Sequence, residues 1–297
     1  MNIFYKRTLG DYIFDFVVAI AVVFVLAVTL YPLIYVISMA ISDPIEAARG
    51  HVWFLPKGID LTAIRAVLKD SEIFRYYGNT IWYTLVGTVT AVCFTCLAAY
   101  PLSRKEFTHR NIFMKFIMFT MFFSGGMIPT FIVVSRFLHL YNTRWAVILT
   151  SLSTAWYITV ARSFFMSLPD EIIESARLDG ASEYRIFAQL VMPLSKPIVG
   201  VLAMYNSVGH WNSYFSHMLY EANTDLHPLA MYIRRVVIQN SVAGYADAVA
   251  EMSTAEMLSA LQLKYAVVVI SVLPMLLIYP FISGNLEKGL MIGAVKG

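Results

Sequence analysis

The sequence predicts an all-α polytopic membrane protein, and three observations carry that prediction. Of 297 residues, 59% are hydrophobic and only 14% are charged, whereas a soluble domain carries about 25% charged residues. The mean hydropathy is +0.66. Apolar runs of ~20 residues, enough to cross a bilayer as a helix, recur along the chain. They describe one transmembrane domain over 1–297, undivided by any repeat, low-complexity tract or Gly/Ser linker. The net charge of +3 is small and dispersed, so no basic stripe for nucleic acid is present.

Six stretches read as spans. The first, 14–38, follows Lys6 and Arg7. It far exceeds the 7–15 residues of a signal-peptide core, so it reads as a retained span. The second, 79–102, contains Cys93 and Cys96. With apolar flanks and no second cysteine or histidine pair nearby, these are packing residues rather than a metal or redox site. The third, 112–135, holds "SGGMIP", in which Gly125, Gly126 and Pro129 weaken the helix. A hinge is one reading, and close helix packing is the preferred one. The fourth is 144–165. The fifth, 197–219, is less pure and holds His210, Asn212 and His217. The sixth is 265–283.

An even number of spans puts both termini on one side. Lys and Arg divide almost evenly between the two sides, but those on the side of the termini hug the span ends, most clearly in "PLSRKEFTHR". The positive-inside rule therefore puts both termini in the cytoplasm. Two outer loops remain, 39–78 and 220–264. Each carries a helical pattern: Ile64, Val67 and Leu68 in the first, and Met257, Leu258 and Leu261 in the second.

The polar stretch "EIIESARLDGASEYRIFAQLVMP" interrupts these runs on the cytoplasmic side. Pro169 suits a helix start, and Asp170, Glu171 and Glu174 suit the positive end of a helix dipole. Ile172, Ile173 and Ala176 lie near one face. Gly180 fits a helix-ending position with positive φ, and Ser182 can cap the next helix. Phe187, Ala188 and Val191 continue an apolar face, and Pro193 and Pro197 stop it. The result, over 168–193, is a helix–turn–helix with an apolar face and a charged rim, a shape suited to a groove on another protein. The other reading is a hairpin lying on lipid. Five acids against two arginines between Asp170 and Arg185 disfavour an anionic leaflet.

This stretch resembles the "EAA" loop of permease subunits of binding-protein-dependent ABC importers. That pattern is E-A-A, three residues, G, nine residues, then I-x-L-P. Here it reads Glu174-Ser175-Ala176, then Gly180, then Leu190-Val191-Met192-Pro193, with the spacing kept throughout. The chain is also similar to the carbohydrate branch typified by the maltose importer, in its complex-sugar subgroup. "KRTLGDYIFD", "AAYPLSRKEF", "FTMFFSGGMIP", "GHWNSYF" and the tail "KGLMIGAVKG" all fit it.

The resemblance implies a multi-pass protein of the bacterial cytoplasmic membrane. Its implied partners are a second, non-identical permease, two ABC ATPase subunits, an external solute-binding protein, a sugar and membrane lipid. Glu174, Ser175, Ala176, Asp179, Gly180 and Pro193 would form the contact with the ATPase, and Lys296 and Gly297 a further tail contact. The chain contains no G-x-x-x-x-G-K-[ST] motif, so ATP would be bound by the partner. No cofactor, metal site or catalytic residue of its own is expected.

"HWNSYF" offers two readings. Trp211, Tyr214 and Phe215 can stack on sugar faces, with His210 and Asn212 as hydrogen-bonding groups facing a pathway. Alternatively they join helices to one another. The alternatives at the level of function are a permease for a non-sugar substrate, an ion-coupled carrier, a channel or an intramembrane enzyme. The core of the six spans contains no Asp or Glu, which a coupled carrier usually places there, Asp15 lying at the very start of the first, and no filter-like loop is recognisable. His210 and His217 lie seven apart without a carboxylate in view, a poor start for catalysis.

Overall fold

A computed structural model describes residues 8–239 and 261–276, and every described element is helical apart from turns and one isolated bridge. Two compact units are present, one of Met1–Asp70 with Ile233–Leu273 and one of Ser71–Tyr232 with Pro274–Gly297.

The first unit begins with α1 (Leu9–Ile41), started by a capping box in which Thr8 accepts from Asp11 N and Asp11 accepts from Thr8 N. At 1.5 Å per residue its 33 residues reach roughly 50 Å, more than a hydrocarbon core of about 30 Å. Its most apolar window is wholly unburied, as expected of a lipid-facing span. Asp43 caps α2 (Pro44–Ala48) and accepts from Ile45 N at 2.8 Å. α3 (Thr62–Lys69) buries Ala63 and Val67. The expected helix is present, but Leu68 points outward and Ala63 takes its place on the buried face. Gln262 pins the connection from within, donating to Ser42 O at 2.7 Å and Asp60 O at 3.2 Å.

The second unit is built on α4 (Ser71–Ser103), the other helix long and apolar enough to span alone. Between Gly87 and Ala99 its inner face is mostly small: Ala91, Thr95, Cys96 and Ala99 are fully buried. Small side chains let neighbours approach where lipid offers no hydrophobic drive. Cys93 is exposed and Cys96 buried, and both are free thiols.

The third, fourth and fifth sequence-defined spans are not continuous helices. α5 (Arg110–Phe122) and α6 (Met127–Ile132, continued by a π turn Val133–Phe137) meet at 115°. Gly126, at φ +84°, makes the break. A Cβ on Gly125 would meet nothing within 4 Å, so the preferred close-packing reading of "SGGMIP" gives way to a helix break. The fourth stretch divides into α7 (Arg144–Thr150) and α8 (Ala155–Met166). Thr150 and Ser151 bond back to the Ala146 and Val147 carbonyls, ending one helix, and Thr154 caps the next. α9 (Asp170–Leu178), α10 (Glu183–Ile186), a π turn Phe187–Val191 and α11 (Met192–Leu194) follow. The chain then bends by 80° into α12 (Lys196–Trp211), which ends before α13 (Phe215–Tyr220). α14 is Leu229–Gln239. A further apolar helix, Leu261–Leu276, covers the described part of the sixth stretch.

Among the described residues, two helices can cross a membrane by length and composition, or up to four if each bent pair counts as one span. α8 and α12 both pack on α4, and the core between them includes Leu102, Phe165 and Leu202.

Candidate functional site

Two regions of the second unit carry the candidate residues. The first is the polar hairpin. α9 stops in a Schellman turn: Ala181 N donates to Ala176 O and Gly180 N to Arg177 O, each at 3.0 Å. Gly180 closes it at φ +79°, where an L side chain is strained. Ser182 then caps α10 by accepting from Arg185 N. Beyond it, Ile186 and Val191 are both buried although five residues apart. The π turn between them supplies that spacing, which a plain helical repeat missed, and it leaves Ala188 exposed.

The hairpin's inner face, Ile173, Ile186 and Val191, joins the core beside Phe165 and Leu102. Its outer face carries Glu174, Ser175, Asp179 and Gly180, all exposed, with Pro193 exposed beyond it and Ala176 half-buried toward the core. Leu178 and Tyr184 were not among the expected contacts, yet they are 89% and 77% exposed on either side of the turn.

Ion pairs tie the rim to the chain after α4. Lys105 Nζ meets Asp170 Oδ2 at 2.8 Å, and Arg177 meets Glu106 at 2.5 Å and Glu183 at 2.8 Å. The hydrogen bond from Lys105 holds the Asp170 carboxyl below its usual range. That from Arg177 does the same to Glu106, while Glu106 and then Glu183 push Arg177 up. Buried Arg104 donates to the Phe165 carbonyl and to Ser103 Oγ.

The second region is the break between α12 and α13. His210 is buried against Gly87 of α4, where a Cβ would lie 2.5 Å from the imidazole. Trp211 is buried as well, whereas Asn212, Tyr214 and Phe215 are exposed at the break. In this structure the pathway candidates thus divide into two packed residues and three available ones. His217 does have a carboxylate partner, contrary to the sequence reading: its Nδ1 lies 2.8 Å from Glu221 Oε2. Tyr83 donates to the other oxygen at 2.6 Å. Glu221 lies two residues past the assigned end of the fifth span, and the i, i+4 spacing from His217 was the signal that would have found it. Neither region presents a nucleophile with a base, and no group of three metal-ligating side chains occurs among the described residues. Lys296 and Gly297 lie outside them.

Residues 87–292 match the family described as binding-protein-dependent transport system inner membrane component. The chain is similar to Protein LplC of Bacillus subtilis (strain 168), 36% identical across 91% of this chain and 90% of that one. It is 33% identical to a polygalacturonan/rhamnogalacturonan transport system permease protein, YtcP, of the same organism, across 98% and 99%. A chain of the crystal structure of a bacterial ABC transporter involved in the import of the acidic polysaccharide alginate superposes with a TM-score of 0.84. It is 32% identical and covers 94% of this chain and 99% of that one. The chain belongs to the binding-protein-dependent transport system inner membrane component family, as a translocation subunit whose ATPase is a separate protein.

Proposed function

We propose that this chain forms half of the translocation pathway of an ATP-driven carbohydrate importer in the bacterial cytoplasmic membrane, with oligosaccharides as its cargo. The observation that carries this is the end-to-end likeness to an alginate importer chain at a TM-score of 0.84. Polyuronate fragments are the first substrates to test, since two of the similar proteins transport such polymers. Six membrane crossings with both termini inside accommodate the two straight spans, the broken ones and the helix Leu261–Leu276. Irregular backbone at membrane depth is tolerated only where it lines a wet cavity or is covered by protein. The exposed breaks at 124–126 and 212–214 fit a path lined jointly with a second permease, in which Asn212, Tyr214 and Phe215 meet the sugar.

The hairpin is the coupling element in this reading. Glu174, Asp179 and Gly180, flanked by Leu178 and Tyr184, enter a cleft on one of two ATPase subunits, and a solute-binding protein delivers sugar from outside. A test is co-purification of the tagged chain with its partners, wild type against Gly180→Asp. Space around Gly180 within this chain is open, and Asp tolerates the left-handed conformation at φ +79° better than most L residues, so the new side chain bears chiefly on a partner. Wild type retaining the ATPase and the variant losing it is the expected result. Equal retention by both defeats the coupling assignment.

A further inference from the structure

The Gly180 turn joins two short helices and gives the hairpin a point about which it can open. The hairpin's buried apolar face opposes that from within, and ion pairs oppose it on the rim. Arg177, on α9, donates through Nε to Glu183 on α10 and through Nη1 to Glu106 beyond α4. Glu183 in turn accepts from Tyr100 Oη, within α4, at 3.1 Å. The bonds close a ring from α4 to α10, to α9 and back to the chain leaving α4. Arg177 and Glu183 each join both hairpin helices to α4 or the chain leaving it, and Arg177 makes two of the three bonds.

We propose that Arg177 is a positioning residue that makes the hairpin and the end of α4 move as one body, so that a push from the ATPase reaches α4 instead of being spent in opening the turn. This rests on the coupling reading of the hairpin. α4 is the helix on which α8 and α12 pack, and Gly87, sixteen positions before Ser103, seats His210 of α12. Movement at the rim therefore has a continuous packed route to the break at 212–214. The guanidinium is required because its planar fork reaches two carboxylates in different directions, whereas a lysine ammonium is one point charge. Arg177 is mostly covered, at 28% exposure, while its two acids are more than half exposed. Pairs of that kind add little to stability, so the arrangement is better suited to fixing geometry than to holding the fold.

The test uses the complete transporter in lipid vesicles with its binding protein, comparing Arg177→Gln, Arg177→Lys and Glu106→Gln with wild type. Three quantities are read: ATPase retained on purification, stimulation of ATP hydrolysis by sugar-loaded binding protein, and sugar transported per ATP. The expected result for Arg177→Gln is full ATPase retention and basal hydrolysis, with transport per ATP down about tenfold, the scale of an ordinary coupling energy. Arg177→Lys should not restore it. Glu106→Gln should give a smaller loss, and Arg177→Gln/Glu106→Gln no more than Arg177→Gln alone, because the two changes remove one link. Transport per ATP within twofold of wild type in Arg177→Gln overturns the proposal. So does loss of the ATPase from that complex, which would make Arg177 a docking residue and leave the coupling reading standing. Retention of the ATPase by Gly180→Asp would instead remove the coupling reading beneath both.

Discussion

At the scale of single residues, a missing side chain matters as much as a present one. Gly87 has no Cβ, and His210 occupies the space one would take. Gly87→Ala forces the imidazole or α12 to move, and overpacking of this kind costs about 1–3 kcal/mol. The expected outcome is a lower unfolding temperature in detergent, largely recovered when His210→Ala is added; a variant as stable as wild type would show that α4 and α12 have slack. Local chemistry was legible at Gly180 and Ser182, where the conformation needed at a helix end restricts the residue type. It was not legible at Gly87, because nothing local distinguishes a packing glycine from any other in an apolar helix. His210 and Trp211 look like binding residues in sequence for a related reason. Polar and aromatic groups are equally useful for contacting sugar and for filling a tight helix crossing.

At the scale of elements, hydropathy located the apolar segments but not their breaks. A bilayer-length window averages over 124–126, 151–154 and 212–214, whereas a helix ends at one residue. The signals were small: a glycine at φ +84°, hydroxyls bonding back to carbonyls, and a threonine cap. The hairpin was easier to read because its outer face is polar and exposed, so caps and charges stand out. Its anchoring has a pH dependence of known sign. Asp170 and Glu106 are held below their usual 3.8 and 4.5, so their contribution is complete above those values and is lost as pH falls through the depressed folded-state pKa. Lys105 is held above 10.5, and its share is lost only as pH rises through that higher value. Amide exchange over 170–186, corrected for intrinsic rates, should be level between pH 6 and 8 and show a few-fold loss of protection below about pH 3.5, as expected for exposed pairs. Unchanged protection at pH 3 would mean the apolar face alone holds the hairpin.

At the scale of the whole molecule, what is missing is as informative as what is packed. α1 leaves its apolar window unburied, and Leu178 and Tyr184 stand free in a polar setting. In the proposed importer, lipid or a second permease would cover the first and the ATPase the second. A chain with these surfaces is a component of an assembly. Its composition already implied the bilayer, and the spacing from Glu174 to Pro193 implied the partner. The substrate was not legible because an amide and two aromatics, the residues exposed at the α12–α13 break, are specific to no one ligand. The account therefore rests on one claim, that ATP hydrolysed by a partner drives a saccharide through a path this chain half-encloses. The measurement that tests it most directly is uptake of labelled oligogalacturonate and neutral oligosaccharides into vesicles holding the complete complex, with ATP enclosed, binding protein outside and a protonophore present or absent. The account predicts uptake that requires ATP and the ATPase and is indifferent to the protonophore. Uptake that persists without ATP and collapses with the protonophore would contradict it and identify an ion-coupled carrier instead.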